Sequence, residues 1–136
     1  MKRGVLFTLV AGLAFALCLA TMSDAHAGPN PPFTGRWETI DLDGSHAQLV
    51  IQPNHKYVGH DDGCRLCGVD SAGNPLYRCR VKGSWAAEGN TITFDLQLWC
   101  LNPERTHIEG TEVREYDPAT ETLVEGDLIW ERNPGN

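Results

Sequence analysis

The sequence predicts an all-β domain: a small up-and-down antiparallel β-barrel of seven or eight strands, stapled by disulfides. Three observations predict it. From Thr91 to Cys100 apolar and polar residues alternate without interruption, with Ile92, Phe94, Leu96, Leu98 and Cys100 on one face and Thr91, Thr93, Asp95, Gln97 and Trp99 on the other. The preceding segment carries Tyr77, Cys79, Val81, Gly83, Trp85 and Ala87 on one face, and a turn at Gly89-Asn90 sets apolar against apolar along the whole pair. The remaining chain consists of short alternating runs between turn residues, with no helical stripe. A two-sheet sandwich is the alternative architecture.

The chain opens with an export signal. Lys2 and Arg3 precede an apolar run from Gly4 to Ala20, and Ala25-His26-Ala27 forms an A-x-A cleavage site. An uncleaved anchor is the competing reading, because the run is near the short limit for spanning a bilayer. A lipoprotein is disfavoured, since Cys18 lies inside the run behind the bulky Leu17. Cleavage after Ala27 makes residues 1–27 a signal peptide and places the mature chain in the periplasm or outside the cell.

Residues 28–32 (Gly-Pro-Asn-Pro-Pro) are too rich in proline for a central strand and read as an extended arm. Residues 33–136 then form a single domain. Beyond the central hairpin, strands are expected at Arg36 to Asp41, His46 to Gln52, Lys56 to His60, Arg105 to Tyr116 and Thr122 to Arg132. Asp43-Gly44-Ser45 turns the first hairpin and Asp117-Pro118-Ala119-Thr120 the last. Ile108 and Val113 have opposite parity, which predicts a bulge near Gly110.

Loss of Lys2, Arg3 and Asp24 with the leader takes the net charge from −7 to −8. Such an acidic chain, without clustered Lys and Arg, argues against nucleic acid and against an anionic membrane surface. It suits a solvated, monomeric, exported protein.

Phe33-Thr34-Gly35-Arg36-Trp37 opens the first strand with G-x-W, and Trp130-Glu131-Arg132 closes the last. This resembles the pattern of the calycins, the lipocalin-like barrels. The resemblance implies that Trp37 plugs one barrel end and Arg132 packs over it, a cation on an aromatic face that also donates to backbone carbonyls. The chain is also similar to a set of small uncharacterised exported bacterial proteins that share F-x-G-x-W, D-x-D-G-S (Asp41 to Ser45), an L-x-I strand (Leu49 to Ile51) and Y-D-P-A-T (Tyr116 to Thr120). Neither resemblance brings a ligand with it.

Outside the cytosol, Cys64, Cys67, Cys79 and Cys100 are free to form disulfides. Four cysteines allow three pairings. Cys79–Cys100 across the hairpin would leave a Cys64–Cys67 ring. The favoured pattern, Cys67–Cys100 with Cys64–Cys79, staples the Asp61 to Asn74 excursion onto the barrel. The C-R-L-C spacing also matches redox motifs, but no βαβ unit accompanies it. His55, His60, Asp61, Asp62, Cys64 and Cys67 are dense in metal-ligand types, yet oxidised cysteines do not ligate and histidines on polar loops are usually solvated. No metal or other cofactor is expected.

No nucleophile–base constellation is visible, so no enzyme is expected; Asp61-Asp62 beside His60 reads as a turn before it reads as an acid–base pair. The leading class is a binding protein, with Trp85, Phe94, Leu96 and Leu98 as the wall of an inner cavity for a small apolar ligand and Gly83 leaving space. Plain core packing is the competing reading of the same residues. The alternative class is a protease-inhibitor-like barrel that uses its proline arm on a protein partner. A third reading is a metal-binding or redox module in the His60–Cys67 segment. Trp99, on the outer face, offers an anchor for a partner surface.

Overall fold

The computed structural model describes residues 30–133, so the expected signal peptide, its expected cleavage site and the first two residues of the expected arm lie outside the described residues. Eight antiparallel strands form a closed barrel in sequence order: β1 (Gly35–Ile40), β2 (His46–Ile51), β3 (Lys56–Asp61), β4 (Cys79–Glu88), β5 (Thr91–Cys100), β6 (His107–Asp117), β7 (Thr122–Glu125) and β8 (Leu128–Arg132). Strand β8 returns to β1, pairing Trp37 with Arg132 and Glu38 with Glu131. The Thr39 hydroxyl donates to the Ile129 carbonyl at 2.7 Å and reinforces that seam. Closure leaves no exposed sheet edge. Among the described residues, no helix is long and apolar enough to cross a membrane.

The central hairpin has the expected register, with Cys79 opposite Cys100, Val81 opposite Leu98, Trp85 opposite Phe94 and Glu88 opposite Thr91. Two expectations about the later strands are corrected. The segment Thr122 to Arg132 is a hairpin rather than one strand, folded at Gly126-Asp127 so that Glu125 meets Leu128. Its inward residues change parity there, from Leu123 to Trp130, which only a turn allows.

The bulge near Gly110 is absent. The β5–β6 ladder runs without a slip from Thr91 opposite Glu115 to Trp99 opposite His107. Val113 simply faces outward and is 51% exposed. Strict alternation therefore sends Ile108, Gly110, Glu112, Arg114 and Tyr116 inward, two charged residues among them.

The barrel has two unlike halves. The half where β1 starts is filled solid, with Trp37, Ile51, Ile92 and Leu123 fully buried. Phe33 covers it from below, edge-on to Trp85 at 5.1 Å between ring centroids. The Arg132 guanidinium lies over the Trp37 ring at 4.4 Å and donates to the carbonyls of Thr34 and Pro32. This is the closure that the end motifs imply. Gly35 is required there: a Cβ on it would stand 2.8 Å from Arg132 Nη1, and its φ of +128° disfavours other residues. The described part of the arm is thus tied to the barrel floor.

The opposite half carries the long excursion between β3 and β4, which contains a 3₁₀ turn at Arg65–Cys67. A disulfide from Cys67 to Cys100, with Cα atoms 5.4 Å apart, pins this loop to the end of β5. The motif residues beneath it build turns. Ser45 N–H donates to Asp43 at 2.8 Å, Gly63 N–H donates to Asp61 at 2.9 Å, and the Ser45 hydroxyl joins the two loops through Asp61. Asp62 pairs with Arg78 at 3.3 Å.

Candidate functional site: a cavity around a buried arginine

Below that loop the barrel is hollow. The cavity measures about 240 Å³, with Leu49, Phe94, Leu96, Leu98 and Trp130 as apolar wall, and it reaches the loop residues Cys64 and Leu66 at its mouth. In liquid-volume terms it matches about eight water molecules. Of the four residues expected to form its wall, Phe94, Leu96 and Leu98 are there. Trp85 is packed in the solid half instead, donating its indole N–H to the Gln52 carbonyl at 2.9 Å and stacking on His55.

The space expected above Gly83 is occupied. The Tyr57 ring from β3 lies over it, and the Tyr57 hydroxyl donates to the Asp95 carbonyl at 2.7 Å. A Cβ at Gly83 would come within 2.4 Å of that same carbonyl. Gly83 is therefore a glycine because of close packing between β4, β5 and Tyr57. Burial pushes the Tyr57 phenol up from its usual value, further above neutral pH, where a phenol is already a donor.

The polar heart of the cavity comes from β6 and β7. Arg114 is 6% exposed. Its guanidinium sits 4.2 Å from the Trp130 ring centroid and 5.3 Å from that of Phe94. Arg114 Nη2 donates to Glu112 at 2.9 Å and lies 3.1 Å from a Glu125 oxygen as an ion pair. The Trp130 indole N–H also donates to Glu125, at 3.0 Å. Arg114 Nε and Nη1 are buried and have no hydrogen-bond partner among the described residues.

The two carboxyls share a proton. Burial, the Glu112 hydrogen bond and the Glu112 charge raise Glu125 to about 7 against the opposing pull of Arg114. Burial also pushes Glu112 up, but its bond from Glu125 and the Arg114 charge outweigh that and hold it below the usual range. Glu125 therefore keeps the proton and donates it toward Glu112, an arrangement in which one carboxylate balances one guanidinium.

None of Glu112, Arg114 and Glu125 is evident from the sequence as a site residue. The signal that finds Glu112 and Arg114 is the unbroken alternation through Gly110, and for Glu125 it is the turn at Gly126-Asp127.

At the mouth Cys64, Cys67, Cys79 and Cys100 gather. The sulfurs of Cys64, Cys67 and Cys79 all lie within 4.8 Å of one another, and Cys67 is bonded to Cys100. The expected Cys64–Cys79 bridge is not formed here: both are buried thiols. The two thiols interact with each other at that distance, which lowers Cys64 and, with burial, raises Cys79. The metal-ligand types that are dense in the sequence do not converge as a set. His55 stacks on Trp85 at the solid end, a full strand away from Asp61 and Cys64. On the outer wall Trp99 stacks on His107 at 4.7 Å, with the Lys82 ammonium 5.1 Å from its ring.

No family model, curated protein or solved structure matches this chain.

Proposed function

We propose that this chain is an exported binding protein that holds a small molecule inside its barrel. The observation that supports this most is the cavity itself. A domain able to fill its interior with side chains does so in one half and leaves about 240 Å³ open in the other, beside a buried arginine two of whose nitrogens have no partner among the described residues. Packed interiors rarely tolerate either feature without cause. Native mass spectrometry of protein purified from its own host tests the reading. The expected result is a mass excess that disappears on denaturation and refolding; a bare mass equal to that of the mature chain under gentle conditions contradicts it.

A second reading attaches to the sulfurs. Cys64 and Cys79 are placed to lose two protons and two electrons to a disulfide-donating oxidant and so add a second staple beside Cys67–Cys100. Peptide mapping under non-reducing conditions checks it: a linked Cys64–Cys79 fragment is expected, and a Cys64–Cys67 fragment contradicts it. The inhibitor-like reading gains no feature of its own, because Pro31 and Pro32 offer their carbonyls to Thr34 and Arg132 and help close the floor.

A further inference from the structure

We infer that in the reduced chain Cys64, Cys67, Cys79 and Cys100 are the ligands of one zinc ion, which fastens the β3–β4 loop to the barrel mouth in place of the disulfide. Such a site needs no ligand inside the barrel, so it stands independently of the binding proposal above.

The sulfurs come in two pairs, each set by local geometry. Cys64 and Cys67 flank the 3₁₀ turn, where Cys67 N–H donates to the Cys64 carbonyl at 3.0 Å and Gly68 N–H to the Arg65 carbonyl at 3.2 Å. Both cysteines are thereby buried, while Leu66 between them is 64% exposed. Gly68 leaves the turn at a φ of +131°, and a Cβ on it would stand 3.3 Å from the Tyr77 ring. C-x-x-C is the spacing by which one turn supplies two ligands to zinc. The other pair, Cys79 and Cys100, is directly opposed across β4 and β5. Loop and hairpin are held together around them: Cys64 N–H donates to the Tyr77 carbonyl at 2.8 Å and Leu101 N–H to the Arg78 carbonyl at 2.9 Å.

The dimensions suit a tetrahedral ion. The sulfurs of Cys64, Cys67 and Cys79 all lie within 4.8 Å of one another, and that of Cys100 is bonded to Cys67. A zinc–sulfur distance of about 2.3 Å gives a tetrahedron with edges of about 3.8 Å. A phosphine or a small dithiol supplies two electrons, and with two protons these turn the Cys67–Cys100 bond into two thiols. The freed sulfurs then separate to that edge, from residues whose Cα atoms are 5.4 Å apart in the staple. Zinc replaces the four S–H protons and forms four bonds, a closed sphere with a structural role. Soft thiolates select it over calcium or magnesium. Leu98, with Tyr77, Val81, Leu96 and Ile108 packed around, shields the sulfurs from water. Beyond their mutual contact and their burial, Cys64 and Cys79 lie near the Asp61 carboxylate, which disfavours both thiolates. Backbone N–H groups oppose it, those of Leu66 and Cys67 at Cys64 and that of Asp61 at Cys79. The charge of the ion itself outweighs one carboxylate.

The test reduces the protein with a phosphine in urea, returns it to oxygen-free buffer, and titrates it with Co²⁺ and then Zn²⁺. One equivalent of cobalt is expected to give the thiolate charge-transfer and intense visible bands of a tetrahedral sulfur site, and one equivalent of zinc to abolish them. Zinc is expected to raise the thermal midpoint of the reduced protein and to leave that of the oxidised protein unchanged. Cys64→Ser and Cys79→Ser retain the Cys67–Cys100 staple, so the folding of each is checked in its oxidised form. Once reduced, each is expected to bind zinc about a hundredfold more weakly. Absent cobalt binding, the faint bands of an octahedral ion, or a zinc affinity within threefold of the parent in either variant overturns the inference. Equal zinc affinity of the oxidised protein overturns it too, because Cys67 and Cys100 are then not ligands.

Discussion

Two arginines of this barrel each lie on an indole ring, Arg132 on Trp37 at 4.4 Å and Arg114 on Trp130 at 4.2 Å, yet they do opposite things. Arg132 sits at the exposed rim and reaches two backbone carbonyls of the chain entering β1. It ties the first strand to the last and closes the floor. Arg114 lies inside, next to two carboxyls that share a proton, and keeps two nitrogens without partners among the described residues. The same cation-on-aromatic contact seals one half of the molecule and lies beside an open cavity in the other. What separates the two is the kind of acceptor: backbone carbonyls take two nitrogens of Arg132, whereas Arg114 meets carboxyls through one nitrogen only.

The comparison is broken most severely at Arg114. Arg114→Leu leaves Glu112 and Glu125 buried without their cation and is expected to cost about 3–5 kcal/mol in urea unfolding, as for other broken buried pairs. Adding Glu112→Gln and Glu125→Gln to that variant is expected to restore most of the loss. If Arg114→Leu alone proves neutral, the buried cluster is not a linked ionic unit.

Arg132→Ala removes the cover of Trp37 and two charge-assisted bonds, but at a solvated rim. A loss of about 1–3 kcal/mol is expected, with retention of any cavity ligand unchanged. A matching loss of binding would show that the two halves are not separable.

Glu125→Gln sharpens the contrast through pH. Glu125 titrates at about 7 in the fold against 4.5 as its ordinary value. Between these values the folded chain holds more protons than the unfolded one, so its stability falls as pH rises through that window. The loss is of order 1–2 kcal/mol once the opposite shift of Glu112 is set against it. Glu125→Gln is expected to flatten that part of the curve and to be the more stable form at pH about 8. An unaltered pH profile in urea titrations would contradict the shared proton.

Tyr57→Phe gives the smallest effect, about 1 kcal/mol for the lost bond to the Asp95 carbonyl. Gly83→Ala serves as its control, because the added methyl meets that carbonyl whether or not the hydroxyl is present.

Much of this molecule is legible in its sequence because strands with one buried face advertise it by alternation. The Thr91–Cys100 strand and its partner specify their own register, and Trp37 with Arg132 marks the seam at which the barrel closes. The site was harder to read for the same reason. Sorting residues by polarity places Val113 inside and seeks a bulge to allow it, whereas the ladder keeps its register and puts Glu112 and Arg114 inside instead. Buried charges oppose the pattern that identifies strands, so functional interiors are where alternation of polarity misleads. Trp85 shows the converse: it faces inward as expected, but its height along the barrel, set by strand stagger, places it in the solid half. The pairing of Cys67 with Cys100 depends in turn on how the β3–β4 loop folds over the barrel mouth, which local sequence does not encode.

A high-resolution crystal structure of the protein purified from its own host tests the central claim most directly. The account predicts continuous density that is not water inside the Leu49–Phe94–Trp130 cavity. A cavity occupied only by discrete ordered waters, or collapsed onto its own side chains, would contradict it.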